Sequence, residues 1–162
     1  SWTHCLGKLR QKAMEQSPAP KIRAVEWDEG GCQSLERNLE HAGQILSSLG
    51  RPISYDVIKQ DVFKDQVPSQ FQNIWIPLNP PYGLRLGDEE SSGRLYERIG
   101  QWLREGFAPH QQRSGFILVP DSQAFHGFER KLGASSIKGI HSFTQGGVHI
   151  RCVCFSIAAG GS

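Results

Sequence analysis

The sequence lacks the patterns that mark several protein classes. Its four cysteines form no Cys-x-x-Cys pair and its six histidines show no metal-ligand spacing, so we expect no metal site. No apolar run approaches the ~20 residues that a membrane helix needs, and no basic and then apolar leader is present. The net charge of +2 neither indicates nor excludes a nucleic-acid partner. These absences favour a cytoplasmic globular protein with reduced cysteines and no membrane contact.

The apolar pattern along the chain predicts an α/β fold. The 162 residues suffice for one domain with a core, because 38% are hydrophobic and 21% are charged. Short apolar runs typical of strands alternate with helical spacings, which indicates an α/β sheet. The predicted strands are 21–26, 53–59, 73–78, 115–119 and a last antiparallel pair within 136–157 around Gly146-Gly147. The predicted helices are 2–14, one through Cys32, Leu35, Leu39 and Ala42 that Gly43 closes, one from Leu95-Tyr96 to Phe107, and one through Phe125, Phe128 and Leu132 that Gly133 closes.

One stretch, Asn79-Pro80-Pro81-Tyr82-Gly83, follows the apolar run 74–78. Prolines fix φ and remove backbone donors, and a residue before proline is extended, so the stretch predicts a stiff loop after a strand. Ligands bind at the carboxyl ends of strands in open α/β sheets. Such a loop presents carbonyl oxygens, an amide and an aromatic ring to a flat ligand with an amino group. The alternative is a Pro-Pro turn that only ends the strand.

This stretch resembles the (Asn or Asp)-Pro-Pro-(Tyr or Phe) signature of S-adenosylmethionine-dependent amino-methyltransferases. With Gly83-Leu84-Arg85-Leu86-Gly87 and then Leu95-Tyr96, it is most similar to the large-subunit rRNA guanine-N2 methyltransferases, which usually have Glu where this chain has Leu84. The resemblance implies a Rossmann-like class I methyltransferase sheet with a C-terminal antiparallel hairpin. It also implies S-adenosylmethionine as cofactor and a guanine amino group in RNA, with rRNA as the expected class, as substrate.

The resemblance also implies roles for the residues of the stretch. The Asn79 side-chain oxygen and the Pro80 carbonyl accept hydrogen bonds from the amino group, while Pro81 stiffens the loop. Tyr82 stacks on the base, and Arg85 could contact phosphate. The implied catalytic residues are Asn79, Pro80, Pro81 and Tyr82, and the implied substrate-binding residues are Tyr82, Gly83 and Arg85.

Acidic residues follow two predicted strands. Glu26, at the end of strand 21–26, can accept two hydrogen bonds from a ribose diol. An acid that stabilises the N-terminus of the next helix is the alternative, which fits Asp28 and Glu29 better than Glu26. In the resembling family, Asp61 would accept a bond from the adenine amino group, and a plain N-cap or loop aspartate is its alternative. The cofactor-binding residues that the resemblance implies are Glu26, Trp27, Asp61, Val62 and Asn79.

The family's first strand and its glycine-rich loop are missing from the predicted elements. Residues 1–20 contain no Gly-x-Gly and no β-branched residue except Thr3, and Gly30-Gly31 opens a helix instead. A sheet without its central strand leaves two edges exposed. We therefore expect 1–157 to be part of a methyltransferase catalytic domain and 158–162 to be a flexible tail. An upstream segment or a partner chain would supply the strand and loop.

Other functions remain open at this stage. An enzyme with this signature could instead modify an adenine amino group or a protein glutamine amide. A non-catalytic, methyltransferase-like module that binds a partner or RNA is a different class. A general dinucleotide-binding domain is a weaker interpretation, because its glycine fingerprint is absent from the sequence.

Overall fold

A computed structural model describes residues 20–80, 89–120 and 123–160. The chain divides into two units, Ser1–Asp65 and Gln66–Ser162. Among the described segments, no helix is both long and apolar enough to cross a membrane. The predicted helix over 2–14 lies outside the described residues.

The first unit contains a parallel strand pair joined by a helix. Its elements are β1 (Lys21–Glu26), α1 (Glu29–Ser48), β2 (Ser54–Lys59) and a 3-10 turn (Val62–Lys64). β1 and β2 pair in register from Lys21 opposite Ser54 to Glu26 opposite Lys59. The prediction for β1 is confirmed, and β2 begins one residue after the predicted start. The two strands therefore end at the same edge of the sheet.

Helix α1 does not end at Gly43, where the sequence predicted its end. It continues to Ser48, and the chain then turns through Gly50, whose φ is 72°. A glycine inside a helix lowers the stability of the helix by about 1 kcal/mol relative to alanine, and favourable residues on either side can offset that loss. The left-handed conformation at Gly50 is the one that glycine adopts without a Cβ penalty, so Gly50 and not Gly43 accompanies the end of the helix.

The second unit contains a mixed four-stranded sheet in the order β3-β4-β6-β5. Its strands are β3 (Asn73–Leu78), β4 (Gln112–Pro120), β5 (Ile137–Gln145) and β6 (Val148–Ile157). β3 and β4 are parallel, whereas β6 runs antiparallel to both β4 and β5. The predicted strand 73–78 and the predicted final hairpin around Gly146-Gly147 are confirmed. The α/β class with a mixed sheet is therefore confirmed.

Two helices accompany this sheet, α2 (Glu89–Glu105) and α3 (Gln123–Leu132), and a 3-10 turn (Ala134–Ser136) precedes β5. α2 begins before Leu95-Tyr96 and ends before Phe107, so both predicted bounds were wrong. The polar residues 89–94 lack the apolar spacing on which the prediction depended. The core residues that are at most 5% exposed are Tyr96, Ile99, Leu103, Ile117, Val119, Ala124, Phe125, Phe128, Leu132, Ile150, Val153 and Phe155.

The described cysteines, Cys32, Cys152 and Cys154, are free thiols. Burial, with the nearby Cys154 as a second cause, raises the pKa of the Cys152 thiol, which disfavours the reactive thiolate. Across residues 20–80, 89–120 and 123–160, no three His, Cys, Asp or Glu side chains are grouped to hold a metal ion. Cys152 and Cys154 are therefore ordinary half-buried thiols on β6.

Candidate functional site

The carboxyl ends of β1 and β2 form a cleft within the first unit. The Gln60 backbone N–H donates to the Glu26 carbonyl oxygen at 2.9 Å, which joins the two strand ends. The cleft has a volume of about 410 Å³. It is lined by Val25, Glu26, Trp27, Gln60, Asp61 and Val62. The structure thus brings together four of the five predicted cofactor-binding residues, and the fifth, Asn79, belongs to the second unit.

The Glu26 side chain is held in place by the backbone that follows it. Its Oε1 accepts hydrogen bonds from the backbone N–H groups of Trp27 at 2.7 Å and Asp28 at 3.0 Å. The Trp27 ring is 71% exposed beside the cleft. Because one carboxylate oxygen holds the loop, the other, Oε2, carries the capacity to accept from a ligand. The sequence alone does not show which carboxylate oxygen holds the loop.

Asp28 has a structural role in this loop. Its Oδ2 accepts from the Gly31 N–H at 2.8 Å, so Asp28 is the N-cap of α1. The alternative that the sequence left open for Asp28, an acid that stabilises the helix N-terminus, is therefore observed. Glu29, one residue later, pairs with Lys59 at 2.6 Å, and this hydrogen bond lowers the pKa of Glu29. The Lys59 pair joins the start of α1 to the end of β2.

Gly31 leaves the space that the Glu26 side chain occupies. A Cβ at Gly31 would lie 2.6 Å from Cγ and 2.9 Å from Cδ of Glu26, which is too close for either atom to remain in place. We expect Gly31→Ala to displace the Glu26 carboxylate and to weaken ligand binding in the cleft at least five-fold, measured by calorimetric titration of the ligand that the resemblance implies, S-adenosylmethionine. Gly43→Ala is the matched control on the same helix, because the nearest atom to its Cβ is Ile53 Cγ1 at 3.7 Å.

The control should also separate folding from positioning. Replacing a helical glycine by alanine stabilises a protein by about 0.5–1 kcal/mol, so Gly43→Ala should raise the free energy of unfolding measured in urea. Its affinity for the ligand in the cleft should not change. An unchanged affinity in Gly31→Ala, with the protein folded, would contradict the role assigned to this glycine.

Asp61 caps the 3-10 turn that follows β2. Its Oδ1 accepts from the Phe63 N–H at 3.0 Å, so the N-cap alternative that the sequence left open is observed. Capping does not exclude ligand binding, because a carboxylate has about four acceptor positions on its two oxygens. The cap holds the Asp61 carboxylate at the cleft that it lines.

A bidentate ion pair, which no sequence pattern predicted, holds the segment that follows β2. Arg23 Nε donates to Asp65 Oδ2 at 2.9 Å, while Arg23 Nη2 and Gln60 Nε2 both donate to Asp65 Oδ1. Asp65 is 6% exposed, and its hydrogen bond raises the pKa of Arg23. The pair joins β1 to the end of the loop that carries Asp61 and Val62. No local sequence pattern predicts this pair, because its two residues are 42 positions apart in the chain.

Asn79 and Pro80 lie at the carboxyl end of β3 in the second unit. Leu78, the last residue of β3, is opposite Ile117 in β4, and the exposed Asn79 follows at once. The chain therefore places this amide at a strand end, as predicted. The predicted site residues Pro81, Tyr82, Gly83 and Arg85 lie outside the described residues. Tyr96, which carried part of the resemblance, is fully buried and its hydroxyl donates to the Leu118 carbonyl oxygen at 3.2 Å.

Comparison with known families identifies the class of domain. Residues 2–151 match the model of a methyltransferase domain. The chain belongs to the RMKL-like methyltransferase domain family, UPF0020.

The individual relatives that the chain matches are longer proteins. The chain is 38% identical over 102 residues to the ribosomal RNA large subunit methyltransferase K/L of Stutzerimonas stutzeri, covering 63% of this chain and 13% of that protein. It is 30% identical over 156 residues to the protein of the same name from Pseudomonas fluorescens, covering 93% and 19%. The chain thus spans less than a fifth of the length of these relatives. A solved methyltransferase structure from Pyrococcus furiosus aligns with a TM-score of 0.47 and 17% identity over 91% of this chain and 68% of that one.

Proposed function

We propose that this chain belongs to an S-adenosylmethionine-dependent enzyme that methylates the exocyclic N2 amino group of a guanine in RNA, with rRNA as the substrate class. The observation that carries the proposal is the cleft at the ends of β1 and β2, where Glu26, Trp27, Asp61 and Val62 lie together. Membership in a methyltransferase domain family and relatives named as rRNA methyltransferases support it. With rRNA as the substrate class, the proposal includes a cytoplasmic location for the protein.

The cleft suits the nucleoside part of the cofactor. Its volume of about 410 Å³ is within the range of small-molecule sites. Oε2 of Glu26 would accept hydrogen bonds from the two ribose hydroxyls, and Asp61 would accept from the adenine amino group. Trp27 and Val62 supply apolar surface for the ring. When bound, the cofactor supplies an electrophilic sulfonium methyl group.

The loop after β3 would prepare the acceptor nitrogen. An exocyclic amino group is a poor nucleophile, because its lone pair is delocalised into the ring. Hydrogen bonds from both N–H groups to the Asn79 Oδ1 atom and the Pro80 carbonyl would favour a more tetrahedral nitrogen. Its lone pair would form the bond to the methyl carbon as the methyl–sulfur bond breaks, and the methylated nitrogen would then release a proton to water. Tyr82 would stack on the base with about 1–3 kcal/mol, and Pro81 would stiffen the loop. The guanine must leave its stack to reach this loop, which costs least in single-stranded RNA.

We also propose that an upstream segment or a partner chain supplies a further strand and a glycine loop from outside residues 20–160, and that this strand pairs with a strand edge that those residues leave open. Within the described residues, β1 pairs only with β2, and β3 pairs only with β4. Each of these strands therefore has a second edge with no strand beside it among those residues. Residues 1–157 would then be part of the catalytic domain, and 158–162 a flexible tail.

Calorimetric titration of S-adenosylmethionine tests the cofactor and the added strand together. By the full-length protein we mean residues 1–162 together with the upstream segment or partner chain that would supply the added strand. We expect it to bind S-adenosylmethionine and residues 1–162 alone to bind at least ten-fold more weakly. Equal affinity of the two, or cooperative unfolding of residues 1–162 as a monomer in urea, would contradict the need for an added strand. No binding to the folded full-length protein would favour the non-catalytic module.

The substrate is tested by digesting RNA after incubation with the full-length protein and methyl-labelled S-adenosylmethionine. We expect the label in N2-methylguanosine, with rRNA transcripts as the best acceptors. Label in N6-methyladenosine or in protein glutamine would establish one of the alternative enzymes instead.

A further inference from the structure

The charges of this protein are divided unevenly along the chain. Residues 130–162 contain four of the 18 Lys and Arg residues and none of the 16 Asp and Glu residues. The net charge of +2 therefore combines an acidic first part with a basic last part that carries +4. β5 and β6 lie in this acid-free part. A segment with cations and no carboxylates favours contact with a polyanion, because its cations attract phosphates and it adds no carboxylate to repel them.

The hairpin of β5 and β6 exposes both of its faces toward its tip. Residues 140–147 are all exposed, and they include the apolar side chains of Ile140, at 43% exposed, and Phe143, at 41%. β5 pairs with β6 along one edge, and no strand of the described residues pairs with its other edge. His141 and Phe143 are two residues apart on β5, so they lie on the same face of the hairpin. The tip therefore presents an aromatic ring, backbone groups and polar side chains without any carboxylate.

The register places this tip at the same edge of the sheet as Asn79. β3 and β4 are parallel, and the last residue of β4, Pro120, is opposite Ile150 of β6. The turn at Gly146-Gly147 lies four residues beyond Ile150, so it projects roughly 13 Å past the end of β4. Only β4 separates β3 from the hairpin strand β6. β6 therefore lies about two strand spacings, roughly 10 Å, from the strand that carries Asn79, which is within reach of a nucleic-acid strand bound at that loop.

We propose that the acid-free β5–β6 hairpin, residues 137–157, is a contact surface for the RNA strand that flanks the target nucleotide. Phe143 provides a stacking platform for an unpaired base, and the absence of carboxylates admits the phosphates. The hairpin carries two cations and no carboxylate, because Lys138 is exposed near the start of β5 and Arg151 of β6 lies over the Phe125 ring at 4.2 Å. This inference rests on the proposed function, because it assigns part of the substrate contact for the same loop.

Two substitutions in the full-length protein test the hairpin. Phe143→Ala removes the platform, and we expect the Kd for a fluorescent single-stranded RNA, measured by anisotropy, to rise at least five-fold. Gln145→Glu introduces a carboxylate at the tip, and we expect a rise of about five-fold at low salt that shrinks as salt screens the charge. The KM for RNA should rise in both variants while the affinity for S-adenosylmethionine stays unchanged.

Matched controls come from the exposed face of α1. Gln44→Glu makes the same charge change, and Ile45→Ala truncates an apolar side chain that is 50% exposed. Both should bind RNA as the unsubstituted protein does. If the hairpin variants also bind RNA unchanged while the enzyme methylates RNA, the hairpin inference is wrong and the proposed function stands. If they lose self-association or a protein partner instead of RNA affinity, the hairpin is a protein interface and the inference is overturned. An unsubstituted protein that neither binds nor methylates RNA would overturn the proposed function as well.

Discussion

Asn79→Ala is expected to lower the rate of methyl transfer to RNA by about 10²–10³-fold at saturating cofactor. The amide oxygen would be one of two acceptors that hold the attacking amino group. Removing one fixed hydrogen-bonding group that acts on the reacting atoms typically has an effect of this size. Asn79 is exposed at the end of β3. The free energy of unfolding in urea, measured for the variant and the unsubstituted protein, separates a loss of stability from a loss of catalysis. The rate is best measured in single turnover, which separates the chemical step from product release.

Asn79→Asp is the matched variant for this prediction. The carboxylate keeps an oxygen that accepts a hydrogen bond, and the signature that this loop resembles admits either residue. We therefore expect Asn79→Asp to retain most of the rate that Asn79→Ala loses. A rate in Asn79→Ala within a few fold of the unsubstituted enzyme would exclude the amide from the reaction and would favour a loop that only ends β3.

Glu26→Gln is expected to weaken the binding of S-adenosylmethionine by roughly 10- to 100-fold, because hydrogen bonds to a charged acceptor are worth about 1.5–3 kcal/mol. Glutamine keeps a carbonyl oxygen for the Trp27 and Asp28 N–H groups, which Glu26 Oε1 now holds at 2.7 and 3.0 Å. The loop should therefore survive, while a donor NH₂ group replaces the oxygen that would meet the ribose hydroxyls. Calorimetric titration with the full-length protein measures the effect.

Two companion variants make the result specific. Asp61→Asn keeps the cap on the Phe63 N–H, since asparagine caps as well as aspartate, but it offers an amino group where the adenine amino group would lie. It should also weaken binding. Glu29→Gln removes a nearby exposed carboxylate that pairs with Lys59 and does not line the cleft, so binding should not change. Equal losses in all three variants would indicate a general charge effect and would contradict a specific role for Glu26.

Much of the fold could be predicted because it depends on local patterns. The β1 and β3 bounds and the final hairpin around Gly146-Gly147 follow from apolar runs bounded by turn residues. Helix ends were predicted less well, as the continuation of α1 past Gly43 and the early start of α2 show. A single glycine is a weak signal, because its cost of about 1 kcal/mol is smaller than the stability of the surrounding helix.

The sequence by itself determined the strand ends at which Glu26, Asp61 and Asn79 stand, because strand periodicity and the proline pair act over a few residues. Only the tertiary structure decided how the first two acids are used. Glu26 holds its own loop through Oε1 while the residue lines the cleft, and Asp61 caps a turn while it lines the same cleft. The Arg23–Asp65 pair and the projection of the acid-free hairpin at the Asn79 edge also came only from the structure. They depend on strand pairing and on contacts between residues far apart in the chain, which no local pattern encodes.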